Sequence, residues 1–130
     1  MKFMNKMMFR VGLLALLSVF FTLSACKNKK PSTLKVYVRS SNNELLSGAQ
    51  VVVIGDVNSD PATKEYVDTV QSNSAGFAEI NMQPYYDMLG KKEDPIGYFN
   101  VIAKKDNKEG SGYIRCRGYI TNVLTVMLNP

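Results

Sequence analysis

Two thiols, Cys26 and Cys116, and a complete lack of histidine frame the chemistry open to this 130-residue chain. Without imidazole the commonest general base and the commonest metal ligand are both missing, so serine triads and zinc sites are not expected. What remains is carboxylates, hydroxyls and amines. Asp56-Val57-Asn58-Ser59-Asp60 imitates the opening of a calcium loop, in which alternating oxygen side chains converge on one cation. Pro61 stands where that loop requires glycine, however, and Val67 where it requires a bidentate Glu, so an ordinary acidic loop is the better reading. Asp87, Glu93 and Asp94 are expected to be solvated in the same way. Tyr85 and Tyr86, close in sequence to Lys91 and Lys92, are the candidate contact surface: aromatic and basic groups together suit a glycan, a protein or lipid headgroups. The competing reading makes the two tyrosines a lid over an open edge of the fold. Neither a cofactor nor a metal is implied.

Cys26 has a different setting. It closes an apolar run preceded by a basic stretch with Lys2, Lys6 and Arg10 and no acid, and the small residues Ser24 and Ala25 stand directly before it. No residue from Val11 to Cys26 is charged, and as a helix that run would reach about 24 Å, short of the roughly 30 Å hydrocarbon layer. A cleaved segment is therefore expected rather than a membrane span. Leu23-Ser24-Ala25-Cys26 resembles a bacterial lipobox, which implies cleavage between Ala25 and Cys26 and acylation of the Cys26 thiol. Residues 1–25 are then a lipoprotein signal peptide, 26–32 a lipidated tether and 33–130 the folded domain. Lys27, rather than Asp, follows the acylated cysteine, so the expected location is the outer membrane, on its periplasmic face or the cell surface.

Removing the leader changes the charge balance. The leader holds three basic residues, and Lys27, Lys29 and Lys30 of the tether take three more of the chain's 16. Residues 31–130 keep 10 basic side chains against 11 acidic ones, a net of −1, which gives no support to a nucleic-acid partner. The tether lysines suit anionic headgroups, at about 1 kcal/mol each near such a surface. Once Cys26 is acylated, Cys116 has no internal partner and is expected to be a small buried apolar side chain.

From Thr33 the pattern becomes that of strands. Leu34, Val36 and Val38 alternate with Lys35, Tyr37 and Arg39, giving one dry and one wet face. Ala49 to Ile54 is β-branched on both faces, as a central covered strand would be. Further strands are expected over Glu65–Gln71, Phe77–Asn81, Tyr98–Ala103, Tyr113–Tyr119 and Val123–Leu128. A charged turn is expected from Lys104 to Gly110, and a long connection from Met82 to Ile96 with a helical turn at Tyr85–Leu89. Seven short strands without an amphipathic helix predict an all-β, immunoglobulin-like antiparallel sandwich. Because consecutive antiparallel strands alternate in direction, the Met82–Ile96 connection is expected at the end where the first strand begins.

Leu46-Ser47-Gly48-Ala49-Gln50-Val51, Thr69 followed by Asn73-Ser74-Ala75-Gly76-Phe77, and Tyr98-Phe99-Asn100-Val101 resemble the motifs of the carboxypeptidase-regulatory-like and collagen-adhesin B-type modules. Asn73 stands where that family usually has Asp. The resemblance implies a prealbumin-like sandwich and an accessory, adhesive or spacer role. It also implies that a Lys-Asn cross-link assisted by an acid is conceivable from Lys35, Glu79 and Asn122, although alternation turns Lys35 towards water. The histidine-dependent prealbumin-like hydrolases are excluded, since the chain ends Met127-Leu128-Asn129-Pro130 without their C-terminal motif. The expected function is a lipid-anchored, non-catalytic binding or scaffolding module with an envelope protein or glycan as partner. The alternatives are a small-ligand carrier with a cavity in the sandwich and a carboxylate-based glycan-active enzyme, the latter needing two acids about 5 to 9.5 Å apart across a cleft.

Overall fold

The computed structural model describes residues 29–130. Ala25, Cys26 and the leader lie outside the described residues. Seven strands, β1 (Thr33–Arg39), β2 (Gln50–Gly55), β3 (Val67–Gln71), β4 (Phe77–Asn81), β5 (Ile96–Lys105), β6 (Lys108–Arg117) and β7 (Thr121–Met127), are joined by one short helix, α1 (Gln83–Met88). They form two sheets, ordered β4-β1-β7 and β3-β2-β5-β6. The result is an all-β, two-sheet sandwich.

One sheet departs from the expected antiparallel pattern. Strand direction alternates along the chain, so the first and seventh strands run the same way; being neighbours, β1 and β7 must pair in parallel, from Thr33↔Thr121 to Arg39↔Met127. The other pairings are antiparallel. The expected charged turn after the fifth strand is also much shorter than read. β5 and β6 form a ten-residue hairpin closed at Asp106 and Asn107, where Asp106 takes φ +55°, a conformation Asp tolerates better than most residues. At its other end the hairpin stops at Arg117, because Tyr119 adopts φ +63° in the turn to β7.

Alternation along each strand builds the core. Leu34, Val36 and Val38 from β1, Val51 and Val53 from β2, Ala78 and Ile80 from β4, and Phe99, Val101 and Ala103 from β5 all point inward and are fully buried. Each large apolar side chain so buried contributes roughly 1.5–3 kcal/mol, and together these contributions offset the conformational entropy of ordering the strands. Cys116 lies in the same core, and burial pushes its thiol up to about 12.

The turns named in the family resemblance have a physical basis here. Ser72 is buried, and its hydroxyl accepts the Ala49 N–H at 2.9 Å while donating to the Leu46 carbonyl at 2.7 Å. Asn73 Oδ1 accepts the Ala75 and Phe77 N–H groups at 3.0 and 3.3 Å, which orders the turn into β4. Gly76 closes that turn at φ +82°, and a Cβ there would also meet Leu45 Cβ at 2.5 Å. Ser72→Ala strands one buried donor and one buried acceptor together, so a loss of about 2 kcal/mol in a urea titration is expected. An unchanged midpoint would show that the hydroxyl does not tie these loops.

Candidate functional site

The strands define two ends of the sandwich. The lower end, where β1 begins, also receives the β2–β3 connection, the segment between β4 and β5, and the β6–β7 turn; the upper end receives the rest. Residues 82–95 thus lie at the lower end, where Met82 N–H donates to the Ser32 carbonyl at 2.9 Å. Ser32, assigned by its composition to the tether, belongs to the folded body: it is buried and its Oγ accepts the Tyr119 N–H at 2.7 Å.

Pro84 suits the first turn of α1, where its missing N–H costs nothing, and Asn81 Oδ1 accepts the Gln83 N–H at 3.1 Å. Six residues are too few for a helix to stand alone. What holds this one is its pair of tyrosines, which correct the contact-surface expectation: Tyr85 and Tyr86 are 1% and 2% exposed. Their rings pack edge-to-face 5.2 Å apart, and Tyr85 also meets Phe99 at 5.0 Å and Tyr66 at 5.6 Å. Large rings fill core volume here that small β-branched side chains would leave open. Burial raises the pKa of both phenols. The Tyr85 hydroxyl reaches the Lys64 N–H at 3.4 Å, whereas the Tyr86 hydroxyl finds no hydrogen-bond partner among the described residues. Lys91 and Lys92 stay exposed in the loop beyond α1, so the structure does not gather the four candidates on one surface.

The other candidate chemistry is dispersed as well. Asp56 directs Oδ1 to the Asn58 N–H at 3.1 Å and Oδ2 to the Tyr113 hydroxyl at 2.7 Å, so its carboxylate orders a loop and a neighbouring ring. That hydrogen bond holds the exposed Tyr113 phenol protonated, its pKa raised to about 12. Among the described residues no three His, Cys, Asp or Glu side chains gather as metal ligands would. Lys35 pairs in register with Glu79, but its ammonium lies 4.0 Å above the Phe77 ring, a cation–π contact on the outer face. The Asn122 amide is engaged with the Arg117 backbone, at 3.2 Å to its N–H and 2.9 Å to its carbonyl. The groups of the Lys-Asn cross-link are therefore committed elsewhere. Asp94 meets Arg117 at 3.5 Å in an exposed pair worth about 0–1 kcal/mol. A hollow of about 330 Å³ lined by Glu109, Gly110, Ser111, Met127 and Asn129 lies at the upper end, remote from α1.

No family model matches the chain, and no curated protein matches it in sequence. Among solved structures it is similar to the Bacillus anthracis TIE protein, at 19% identity and a TM-score of 0.49, over 76% of this chain and 16% of that one. It is also similar to chlorocatechol 1,2-dioxygenase from Pseudomonas putida, at 16% identity and a TM-score of 0.48, over 78% of this chain and 61% of that one. The chain spans less than two thirds of either neighbour. Likeness at this level bears on neither family nor activity.

A surface that the sequence reading missed lies on the outside of the four-stranded sheet. β2 was expected to be covered on both faces, yet Val52 and Ile54 point away from the core and are only half-buried. In register beside them stand Ile102 and Asn100 of β5 and Thr69 and Val67 of β3, with Tyr113 of β6 on the far side of Asn100; Val67 and Tyr113 are 63% and 50% exposed. Tyr98, next along β5, stacks on Tyr113 with ring centroids 6.2 Å apart. The signal was present in β2 itself, where the unbroken run Val51 to Ile54 makes both faces apolar while the sandwich can cover only one.

Proposed function

We propose that this chain is an outer-membrane lipoprotein, anchored by acyl groups on Cys26, whose prealbumin-like sandwich of the carboxypeptidase-regulatory-like or collagen-adhesin type serves as a non-catalytic binding or scaffolding module. The observation that carries the reading is the order of its parts: a basic stretch, an apolar run too short to span, small residues before Cys26, and a folded body already ordered at Ser32. The few residues between Cys26 and Ser32 span at most about 20 Å when extended, which keeps the body close to the bilayer. Ser32 and α1 share the lower end, so that end faces the membrane and the upper turns face outward. Several acyl chains, at about 0.8 kcal/mol per buried methylene, make the anchor effectively permanent. The partner is an envelope protein or a glycan. The dispersal of the acids among separate loops and the lack of histidine favour binding over catalysis.

Cys26→Ala is the decisive test. The variant is expected to keep its uncleaved leader, to incorporate no labelled palmitate and to change its membrane fractionation, while the body keeps its circular dichroism spectrum. Processing and fractionation identical to the parent would sink the proposal. Mild cross-linking of the parent in membranes, followed by capture, then reads the partner class.

A further inference from the structure

We propose that the lower end of the sandwich is itself a membrane-contact surface, whose loop tips enter the headgroup layer of the bilayer; the inference rests on the Cys26 anchor and adds a second, non-covalent contact to it. Exposed apolar side chains are shared unevenly between the two ends. Each lower connection carries one: Val57 between β2 and β3 is 52% exposed, Met88 at the end of α1 46% and Ile120 between β6 and β7 41%. The upper connections turn on Ser41-Asn42-Asn43, Asn73-Ser74-Ala75 and Asp106-Asn107, all exposed. Among the described residues the one large exposed apolar side chain on them is Leu45, which lies over Gly76, 2.5 Å from where a Cβ would stand. A single exposed apolar residue needs no explanation, but one on every loop of the end where the chain enters does.

The three loops belong to one connected rim. The Ile120 carbonyl accepts the Thr33 N–H at 3.1 Å, beside the start of β1, and Gly118 N–H donates to the Pro95 carbonyl at 2.9 Å, joining that turn to the segment after α1. The Lys64 ammonium donates to the Met88 carbonyl at 2.9 Å, joining α1 to the β2–β3 loop. Buried Tyr85 and Tyr86 pin α1, so Met88 is presented on a firm support. Charge contributes little to this contact. Residues 29–32, 56–66, 82–95 and 117–120 hold six basic and six acidic side chains, so net attraction to an anionic surface is close to nil and the apolar tips must supply the hold. Three such tips would bind a free protein to lipid only weakly. Joined to an acylated Cys26 by the few residues before Ser32, however, the body meets the bilayer at an effective concentration in roughly the millimolar range, where weak contacts suffice. A protein partner free in solution gains no such advantage from the tether, which favours lipid as the occupant of this end.

The test uses the full acylated chain, purified from membranes in mild detergent and reconstituted into phosphatidylcholine vesicles. Met88→Cys and Ile120→Cys, each labelled with a fluorophore, are expected to be quenched by nitroxide carried on the lipid headgroups, and Asn42→Cys at the upper end is not; acylation blocks Cys26 and burial shields Cys116. The quenching is expected to persist in about 1 M salt, where the Debye length is about 3 Å. Met88→Asp combined with Ile120→Asp, folded by circular dichroism and still floating with the vesicles, is expected to lower the ratio of docked to free body, read at a Val57→Cys probe, at least about tenfold, because charge replaces apolar contact in the headgroup layer. Four results overturn the inference: quenching at Met88→Cys and Ile120→Cys no greater than at Asn42→Cys, quenching lost in high salt, a Val57→Cys signal unchanged by the two aspartates, or a Met88→Cys probe that cross-links to another protein in native membranes. Palmitate incorporation is scored on the same samples. An acylated chain whose lower end stays in water refutes the contact and leaves the anchor standing, whereas a chain that carries no acyl group and does not float refutes the anchor and the contact together.

Discussion

Gly110→Ala is expected to destabilise the fold by about 3 kcal/mol, although it adds a single methyl group. Gly110 is buried on β6 where that strand passes the end of β7. A Cβ there would run into the Met127 carbonyl oxygen, with the Met127 carbonyl carbon at 2.8 Å and Leu128 Cα at 3.2 Å. All three atoms are backbone, so no rotamer change can relieve the contact. The opposing segment is also fixed: Leu128 N–H donates to the Arg39 carbonyl at 2.8 Å and Asn129 N–H to the Glu109 carbonyl at 2.9 Å, tying it to both sheets. Relief requires breaking one of these bonds or parting the sheets. At about 4–8 °C per kcal/mol for a domain of this size, the melting temperature should fall by on the order of 15 °C. Ser111→Ala, one residue away and exposed, should stay within about 0.5 kcal/mol and serves as the control. A Gly110→Ala melt within about 1 kcal/mol of the parent would mean that the two strands do not approach this closely.

The close approach at Gly110 illustrates what sequence patterning could not supply. Period-2 alternation from Leu34 to Val38 located β1 and its buried face, and the glycine and asparagine turns bounded β2, β3 and β4, because these signals depend on a residue and its immediate neighbours. Pairing depends on strands far apart in sequence. The parallel β1–β7 contact follows from an odd strand count plus adjacency, and only the adjacency was hidden. Charge misled at the β5–β6 hairpin, where Lys104, Lys105, Lys108 and Glu109 looked like a loop; they are strand residues, all exposed but the half-buried Lys105, and a solvated hairpin tip carries the same side chains as a turn. Tyr85 and Tyr86 were ambiguous for a related reason. An aromatic next to lysines suits a contact surface or a plug equally well, and the near-complete burial of both rings decides for the plug. The uncovered face of β2 was legible as a doubly apolar strand, but not which of its faces would be left without a neighbour.

Stability is expected to be insensitive to the Cys116 thiol and the core phenols at neutral pH and to fall steeply above pH 9. Cys116 ordinarily titrates near 9.0 and the tyrosines near 10.0; burial pushes the Cys116 thiol up to about 12, lifts Tyr66 to about 12 with help from neighbouring Asp68, and raises Tyr85 and Tyr86. Between the unfolded and folded values the unfolded chain has released protons that the folded chain still holds. The folded state therefore binds more protons, and the free energy of unfolding must decrease as pH rises. Below about pH 8 both states are almost fully protonated at these groups and the contribution is nearly flat. Each group so displaced steepens the fall by up to about 1.4 kcal/mol per pH unit, with Tyr66, only half-buried, contributing a smaller share. The thiol acts first, because its unfolded value is lowest. Cys116→Val, of similar volume and without a proton to lose, should delay the onset of the decline from about pH 9 to about pH 10 and leave the phenolic part intact. Urea titrations at about pH 8, 9.5 and 11 resolve the two stages. A parent equally stable at the first and last of these, or a Cys116→Val profile superimposable on the parent's, would show that the thiol at the centre of the sandwich is not shielded from water as its complete burial requires.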